Sequence, residues 1–317
     1  MISEEAWEQA ASAVRSSEEV AICCHVGPDG DAFGSMLGLG SCLRRMGKKV
    51  WMSWGTAGLR VPPQYLFLPG IADVAEPDTI PDGIELFVAI DCGDRKRLEM
   101  LEDRFSSATN TLNIDHHISN DAFAKINLVD PRRASSAELA YELLVRMGAE
   151  INIDEALCLY TGLVTDTGRF QYSNTTPETL RTAAKLREYG FDHGQINTEV
   201  YESSSFENLR VLGLMLSRAS LDDDLVWSWV GQADLAGLGL EETENFIDAL
   251  RVVKDAEVAV VLKEQTNGEF KASLRSRGKV DVAAIASSFG GGGHARAAGF
   301  TVKGSVDEII ASIRERI

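Results

Sequence analysis

The chain has 317 residues, 44% hydrophobic and 25% charged, with a formal net charge of −17. That length supports two ordinary domains with buried cores, and the composition is globular, without low-complexity tracts. Most of the negative charge lies N-terminal of residue 205, and no basic face is visible of the kind that holds long nucleic acid by its phosphates. Five cysteines (Cys23, Cys24, Cys42, Cys92 and Cys158) are odd in number, form no CxxC and sit mostly in apolar runs. They read as reduced, buried thiols of a cytoplasmic protein. The acidic first residues lack a secretion signal's basic start and unbroken apolar core, and no run approaches the ~18 residues of a membrane helix. Neither export nor a membrane partner is expected.

Residues 3–16 read as an amphipathic helix, followed by an all-apolar strand at 20–24, a polar loop at 25–31, a small-residue helix from about 33 to 46, and a strand at 49–54. Strand, helix and strand in so short a span form a βαβ unit and imply a parallel sheet. Further strands are expected at 86–90 and 111–114, with helices at 135–147, 153–164 and 177–188. The segment 191–205 loses its apolar period and reads as a linker. Beyond it the pattern predicts helices at 206–219, 241–253, 282–288 and from 305. Strands are expected at 225–230, 258–262, 270–274 and near Phe300. The expected fold is α/β: a parallel-sheet domain over 1–190, the linker, and a smaller mixed-sheet α/β domain over 206–317.

Asn113-Ile114-Asp115-His116-His117 places an acid and two imidazoles where a strand should end. A capped turn with surface histidines would explain that stretch alone. Three other element ends carry similar groups: His25, Asp29 and Asp31; Asp91; and Asp166. In open α/β sheets ligands gather at the carboxyl ends of strands. The run from Asp29 superficially resembles a calcium loop, but its twelfth position is Gly40 and not a bidentate Glu. Glycines 27, 30 and 34 have the wrong spacing for a dinucleotide loop, and acids there would repel a pyrophosphate. His25, Asp29, Asp31, Asp91, His116 and Asp166 make six groups, enough for two metal ions with one carboxylate bridging. Imidazole nitrogen with carboxylate oxygen suits Mn²⁺, with Mg²⁺ or Co²⁺ as substitutes, whereas Zn²⁺ would bring cysteine or more histidine. Asp115 is placed to orient a histidine, and His117 is left to touch a phosphate oxygen.

A second cluster, Gly290 to Gly293 followed by His294 and Arg296, lies between an apolar helix and a strand. Four glycines make a flexible loop, or they let backbone N–H groups approach an anion closely. Arg275 and Arg277 lie on a strand end nearby in sequence and could clamp a phosphate.

The motifs HVGPDGDAFGS, AIDCGD, NIDHH and GLVTDTG, followed by GGGGH, resemble those of DHH-family phosphoesterases of the short-oligoribonucleotide and pAp phosphatase type, over essentially the whole chain. That resemblance implies one Mn²⁺ on His25, Asp29 and Asp91, and another on Asp31, Asp91, His116 and Asp166. His117 and Asp115 would serve catalysis. Arg275, Gly291, Gly292, Gly293, His294, Ser135 and Arg296 would meet substrate across a cleft between the domains. One departure is Ala137, where such proteins often carry Thr after the serine pair. The implied reaction is metal-assisted hydrolysis of short RNA or linear dinucleotides such as pApA to 5′-mononucleotides, together with conversion of pAp to AMP. A homodimer is compatible with this. Rival readings are a cyclic-dinucleotide phosphodiesterase, a RecJ-like single-strand exonuclease, a manganese pyrophosphatase and a non-catalytic nucleotide sensor. The net charge and short chain argue against a long-strand groove, and the GGGGH run replaces the basic clamp that pyrophosphate would need.

Overall fold

A computed structural model describes residues 1–238 and 246–317, and the chain divides into two units, Met1–Ser203 and Ser204–Ile317. The first unit runs α1 (Glu4–Ser16), β1 (Glu19–Cys24), α2 (Gly30–Arg45), β2 (Lys49–Trp54), β3 (Leu86–Ile90), α3 (Glu102–Ser107), β4 (Asn110–Asp115), β5 (Ile126–Val129), α4 (Ser136–Arg146), α5 (Ile153–Asp166), α6 (Pro177–Arg187) and α7 (His193–Tyr201). Its five strands are all parallel in the order β2-β1-β3-β4-β5. β1 and β3 are apolar because both of their faces are covered. The order reverses between β1 and β3, the point at which helices leave on opposite faces and a crevice opens at the carboxyl ends.

Several boundaries differ from expectation for local reasons. α2 starts at Gly30, three residues early, because the Asp29 side chain caps it and accepts from Asp31 N (3.0 Å) and Ala32 N (3.1 Å). Asp31 therefore sits in a helix's first turn and not in a loop. α5 runs on to Asp166, making that carboxylate its last helical residue. β5 was not expected: four residues with Asn127 among them carry too little pattern, and pairing with β4 decides the strand. Residues 191–205 are not simply a linker. Residues 193–201 form α7, whose Ile196 and Val200 are buried in the first unit's core. Two apolar positions one turn apart are enough to dock a short helix.

The second unit runs α8 (Phe206–Ser217), β6 (Ser220–Asp222), β7 (Leu225–Val230), α9 (Gln232–Leu238), α10 (Phe246–Leu250), β8 (Val258–Glu264), β9 (Glu269–Ser276), α11 (Val282–Ser288), β10 (Gly292–His294), β11 (Ala297–Lys303) and α12 (Val306–Arg314). The start of the helix expected at 241–253 lies outside the described residues. The sheet is mixed, in the order β10-β11-β9-β8-β7-β6, and among the described strands only the neighbours β7 and β8 are parallel. Alternation along the strands supplies two cores. Val258, Val260, Leu274 and Phe300 pack with α11 and α12, while Val226, Ala259 and Val261 pack with α8 and α10. All five cysteines are buried and free. No described helix is long and apolar enough to cross a membrane.

Candidate metal centre

The centre is assembled from the ends of β1, β3 and β4 and from two helices, one opening and one closing beside them. His25 follows β1, Asp91 follows β3, and Asp115-His116-His117 closes β4. Asp91 has a φ of 54°, a left-handed conformation rare outside glycine, and strain of this sort persists only where the surroundings enforce it. Its carboxylate looks two ways. Oδ2 lies 3.5 Å from His25 Nε2, and Oδ1 lies 3.6 Å from His116 Nε2. His116 Nε2 is also 3.8 Å from Asp31 Oδ2 and 3.5 Å from Asp166 Oδ2. Ligand atoms of His25, Asp29 and Asp91 lie within 4.8 Å of one another, as do those of Asp31, Asp91 and His116, so Asp91 belongs to both groups. These separations exceed a hydrogen bond and suit atoms that share an ion about 2.1 Å away. The donor set of carboxylate oxygen and imidazole nitrogen fits a hard divalent cation.

Asp31 and Asp166 meet because α2 and α5 cross with glycine against glycine. A Cβ on Gly34 would stand 2.4 Å from Cys158 O and 2.7 Å from Gly162 N. One on Gly162 would stand 2.8 Å from Asp31 Oδ1.

The electrostatics are those of anions packed together. Burial, with the charges of Asp91, Asp166 and Asp29, pushes Asp31 well above the usual carboxylate range. Asp166, 22% exposed at its side chain, is raised to about 6 by burial and by Asp29 and Asp91, against the pull of His116. Burial also works against ionisation of Asp91. The adjacent His25 imidazole and the charges of His117 and His116 overcome that and hold it low. Burial would depress His117, but its bond to Asp115 and the charges of Asp91, Asp115 and Asp166 lift it to about 9. His117 Nδ1 lies 2.7 Å from Asp115 Oδ1. Asp115 is fully buried and accepts from Asn120 Nδ2 (2.6 Å), which fixes the imidazole's orientation.

Three groups escaped the motif reading. The first turn of α4 grips the carboxylates. Ser136 N and Ala137 N donate to Asp31 at 2.6 and 3.0 Å, and Ser136 Oγ donates to Asp91 Oδ1 at 2.9 Å. A helix N-terminus favours such negative charge. Arg97 Nη2 lies 2.8 Å from His25 Nδ1, which is 2.9 Å from Val26 O. The serine pair was the available signal for α4. Ser135, expected to meet substrate, is fully buried, and its hydroxyl caps α4 by accepting from Glu138 N.

In the second unit the glycine run is no loose loop. Gly292 to His294 form β10, the outer strand of a hairpin closed by Ala295 and Arg296. A Cβ on Gly291 would stand 2.2 Å from Gly299 O, and one on Gly293, at φ 140°, 2.5 Å from Ala297 O. Close backbone approach thus demands these glycines, which local pattern reads as flexibility. The register sets His294 opposite Ala297 and Ala297 opposite Arg275, so all three share one face of the sheet. Arg275 Nε is buried without a hydrogen-bond partner among the described residues. Arg296 is exposed and lies against Gly278, while Arg277 is spent on Val253 O (3.0 Å).

Residues 19–163 match the model of the DHH family's N-terminal domain, and residues 241–317 match that of the DHHA1 domain. The chain is 34% identical over 305 residues to the bifunctional oligoribonuclease and PAP phosphatase NrnA of Thermus thermophilus, covering 93% of this chain and 89% of that protein. It is 28% identical over 298 residues to the Bacillus subtilis protein of the same name, covering 91% of each. The crystal structure of an exopolyphosphatase-related protein from Bacteroides fragilis superposes with a TM-score of 0.92 at 27% identity, over all of this chain and 96% of that one. With an acid-and-imidazole centre at the ends of β1, β3 and β4, and relatives of this kind over nearly its whole length, the chain belongs to the DHH family.

Proposed function

We propose that the protein is a two-metal phosphodiesterase that cleaves short oligoribonucleotides and linear dinucleotides such as pApA to 5′-mononucleotides and also dephosphorylates pAp to AMP. The observation that carries this is the Asp91 carboxylate, one oxygen toward His25 and the other toward His116, in a chain whose relatives are named for those two activities. His25, Asp29 and Asp91 would hold one ion, and Asp31, Asp91, His116 and Asp166 the other, Mn²⁺ being the metal the donor set favours. The two ions would supply a nucleophile at neutral pH and neutralise charge on attacking and leaving oxygens. The protein's own groups do the rest. The N-terminal turn of α4 fixes Asp31 and Asp91, so the ligands are ordered before substrate arrives. His117, held by Asp115, would donate to a non-bridging phosphate oxygen and orient the ester.

The second unit would bind the part of the substrate remote from the bond being cut. His294 and Arg275 flank small Ala297 on one sheet face, and the unsatisfied Arg275 guanidinium nitrogen suits a phosphate. Turnover of pApA, pAp, a cyclic dinucleotide, pyrophosphate and a long single strand by the purified protein with Mn²⁺ tests the proposal. Hydrolysis of pApA and pAp well ahead of the other three is expected. Preference for pyrophosphate or for the long strand would overturn it.

A further inference from the structure

We infer that Asn174 is a positioning residue for the centre, clasping the two turns that carry its carboxylates. The Asn174 side-chain amide donates from Nδ2 to Ala134 O at 3.1 Å and to Asp166 O at 3.0 Å. Both acceptors matter for where they lie. Asp166 O is one of the last carbonyls of α5, which have no donor within their own helix. Ala134 O belongs to the peptide just before Ser135, Ser136 and Ala137, the turn that binds Asp31 and Asp91. The other end of Ala134 is also held, since Ala134 N donates to Glu138 Oε2 at 3.0 Å. One amide thus ties the Asp166 end of α5 to the turn that sets Asp31 and Asp91, between elements 40 and 8 residues away in sequence.

Two features show that this placement is specified. The chain between Asp166 and Asn174 reverses through three left-handed residues in succession, Gly168 (φ 54°), Arg169 (φ 61°) and Phe170 (φ 64°), of which two are not glycine. Residues of that kind rarely adopt this conformation unless neighbours enforce it, and here Phe170 N donates to Thr167 Oγ1 while Gln171 N and Tyr172 N both donate to Thr167 O. The amide orientation is likewise determined. Two carbonyl oxygens can be met only by the NH₂ end, and Oδ1 is buried without a hydrogen-bond partner among the described residues. A carboxylate in the same place would set anionic oxygen against two carbonyls.

Resting on the two-ion reading above, the clasp should act most on the ion held by Asp31 and Asp166, and less on the other, which shares only Asp91 with that turn. Partners of this outer kind typically change metal affinity by about 10–100-fold. The test is Mn²⁺ titration of the full chain, with the electron paramagnetic resonance signal of a coupled Mn²⁺ pair as a second readout. Wild type should bind two ions. Asn174→Ala should bind the ion on Asp31 and Asp166 about 10–100-fold more weakly and the other with a smaller loss, lose the coupled signal at intermediate Mn²⁺, and recover kcat at high Mn²⁺ with little change in KM for pApA. Asn174→Asp, equal in size but without the donor, should be at least as impaired. Unchanged binding of both ions in folded Asn174→Ala, or wild-type affinity in Asn174→Asp, overturns the inference. So does failure of both variants to fold without metal, because Asn174 would then serve the fold and not the centre. A wild-type chain that binds fewer than two ions would sink the two-ion reading instead.

Discussion

Gly34→Ala is the perturbation that most directly tests how the centre is built. The added Cβ would stand 2.4 Å from Cys158 O, where ordinary contact begins near 3.4 Å, so α2 and α5 must separate by about 1 Å at their crossing. The opposing atoms are backbone and cannot swing aside. Overpacking of this kind costs about 1–3 kcal/mol, offset by the ~1 kcal/mol that alanine gains over glycine inside a helix. A net loss of up to about 2 kcal/mol follows, at most roughly 8 °C in Tm for a unit of this size. Because Asp31 lies on α2 and Asp166 on α5, the same movement pulls ligands of one ion apart, and a ~1 Å misplacement can lower turnover about 100-fold. Gly213→Ala is the control. Gly213 lies within α8 and nothing stands within 4 Å of its added Cβ, so helix propensity alone should act and stability should rise slightly. Thermal melts of metal-free protein with kcat/KM on pApA at saturating Mn²⁺ provide the readout. A Gly34→Ala protein as stable and as active as wild type would refute the close-crossing account.

Asp91→Ala should lose both ions together with activity, since one carboxylate serves both ligand groups; metal analysis that finds a full complement would remove the bridge. The metal-free protein should melt progressively lower from about pH 5 to pH 9. Asp166, held near about 6, and His117, near about 9, bind protons more tightly folded than unfolded, so their contributions are present at low pH and lost as pH climbs through those values. Asp91, held low, has the opposite sign and matters only on stronger acidification. Divalent ions, which require deprotonated ligands, should raise Tm more at pH 8 than at pH 5, and a metal-free Tm rising over that range contradicts the reasoning. His294→Ala should weaken pApA turnover while sparing bis-p-nitrophenyl phosphate, whose small size needs no remote grip, whereas His116→Ala should abolish both. Equal loss of the two substrates in a folded, metal-replete His294→Ala protein would move His294 into the reacting centre.

Residue chemistry at element ends was legible in the linear chain. Asp and His are expensive to bury unpaired, so their appearance at the ends of apolar strands marks a site before any coordinates exist. The strands themselves announce a parallel sheet through unbroken apolar runs such as Leu86 to Ile90. Contacts made at a distance left no such trace. Ser135 and Ser136 look alike in sequence, yet one caps a helix and the other donates to Asp91, a difference set by which way each hydroxyl turns once α4 is packed. The glycines at 291 and 293 read as a flexible loop or an anion cradle, whereas β10 and β11 use their missing side chains to close. α7 was hidden because only two of its residues enter the core. The distances from Asp91 to His25 and His116, the crossing at Gly34, and the reach of Asn174 to Asp166 and Ala134 join residues far apart in the chain. Side-chain type is a local property and can be read from the sequence. Which backbone atoms come within 3 Å of one another depends on how whole helices and strands pack, and only the tertiary structure decides it.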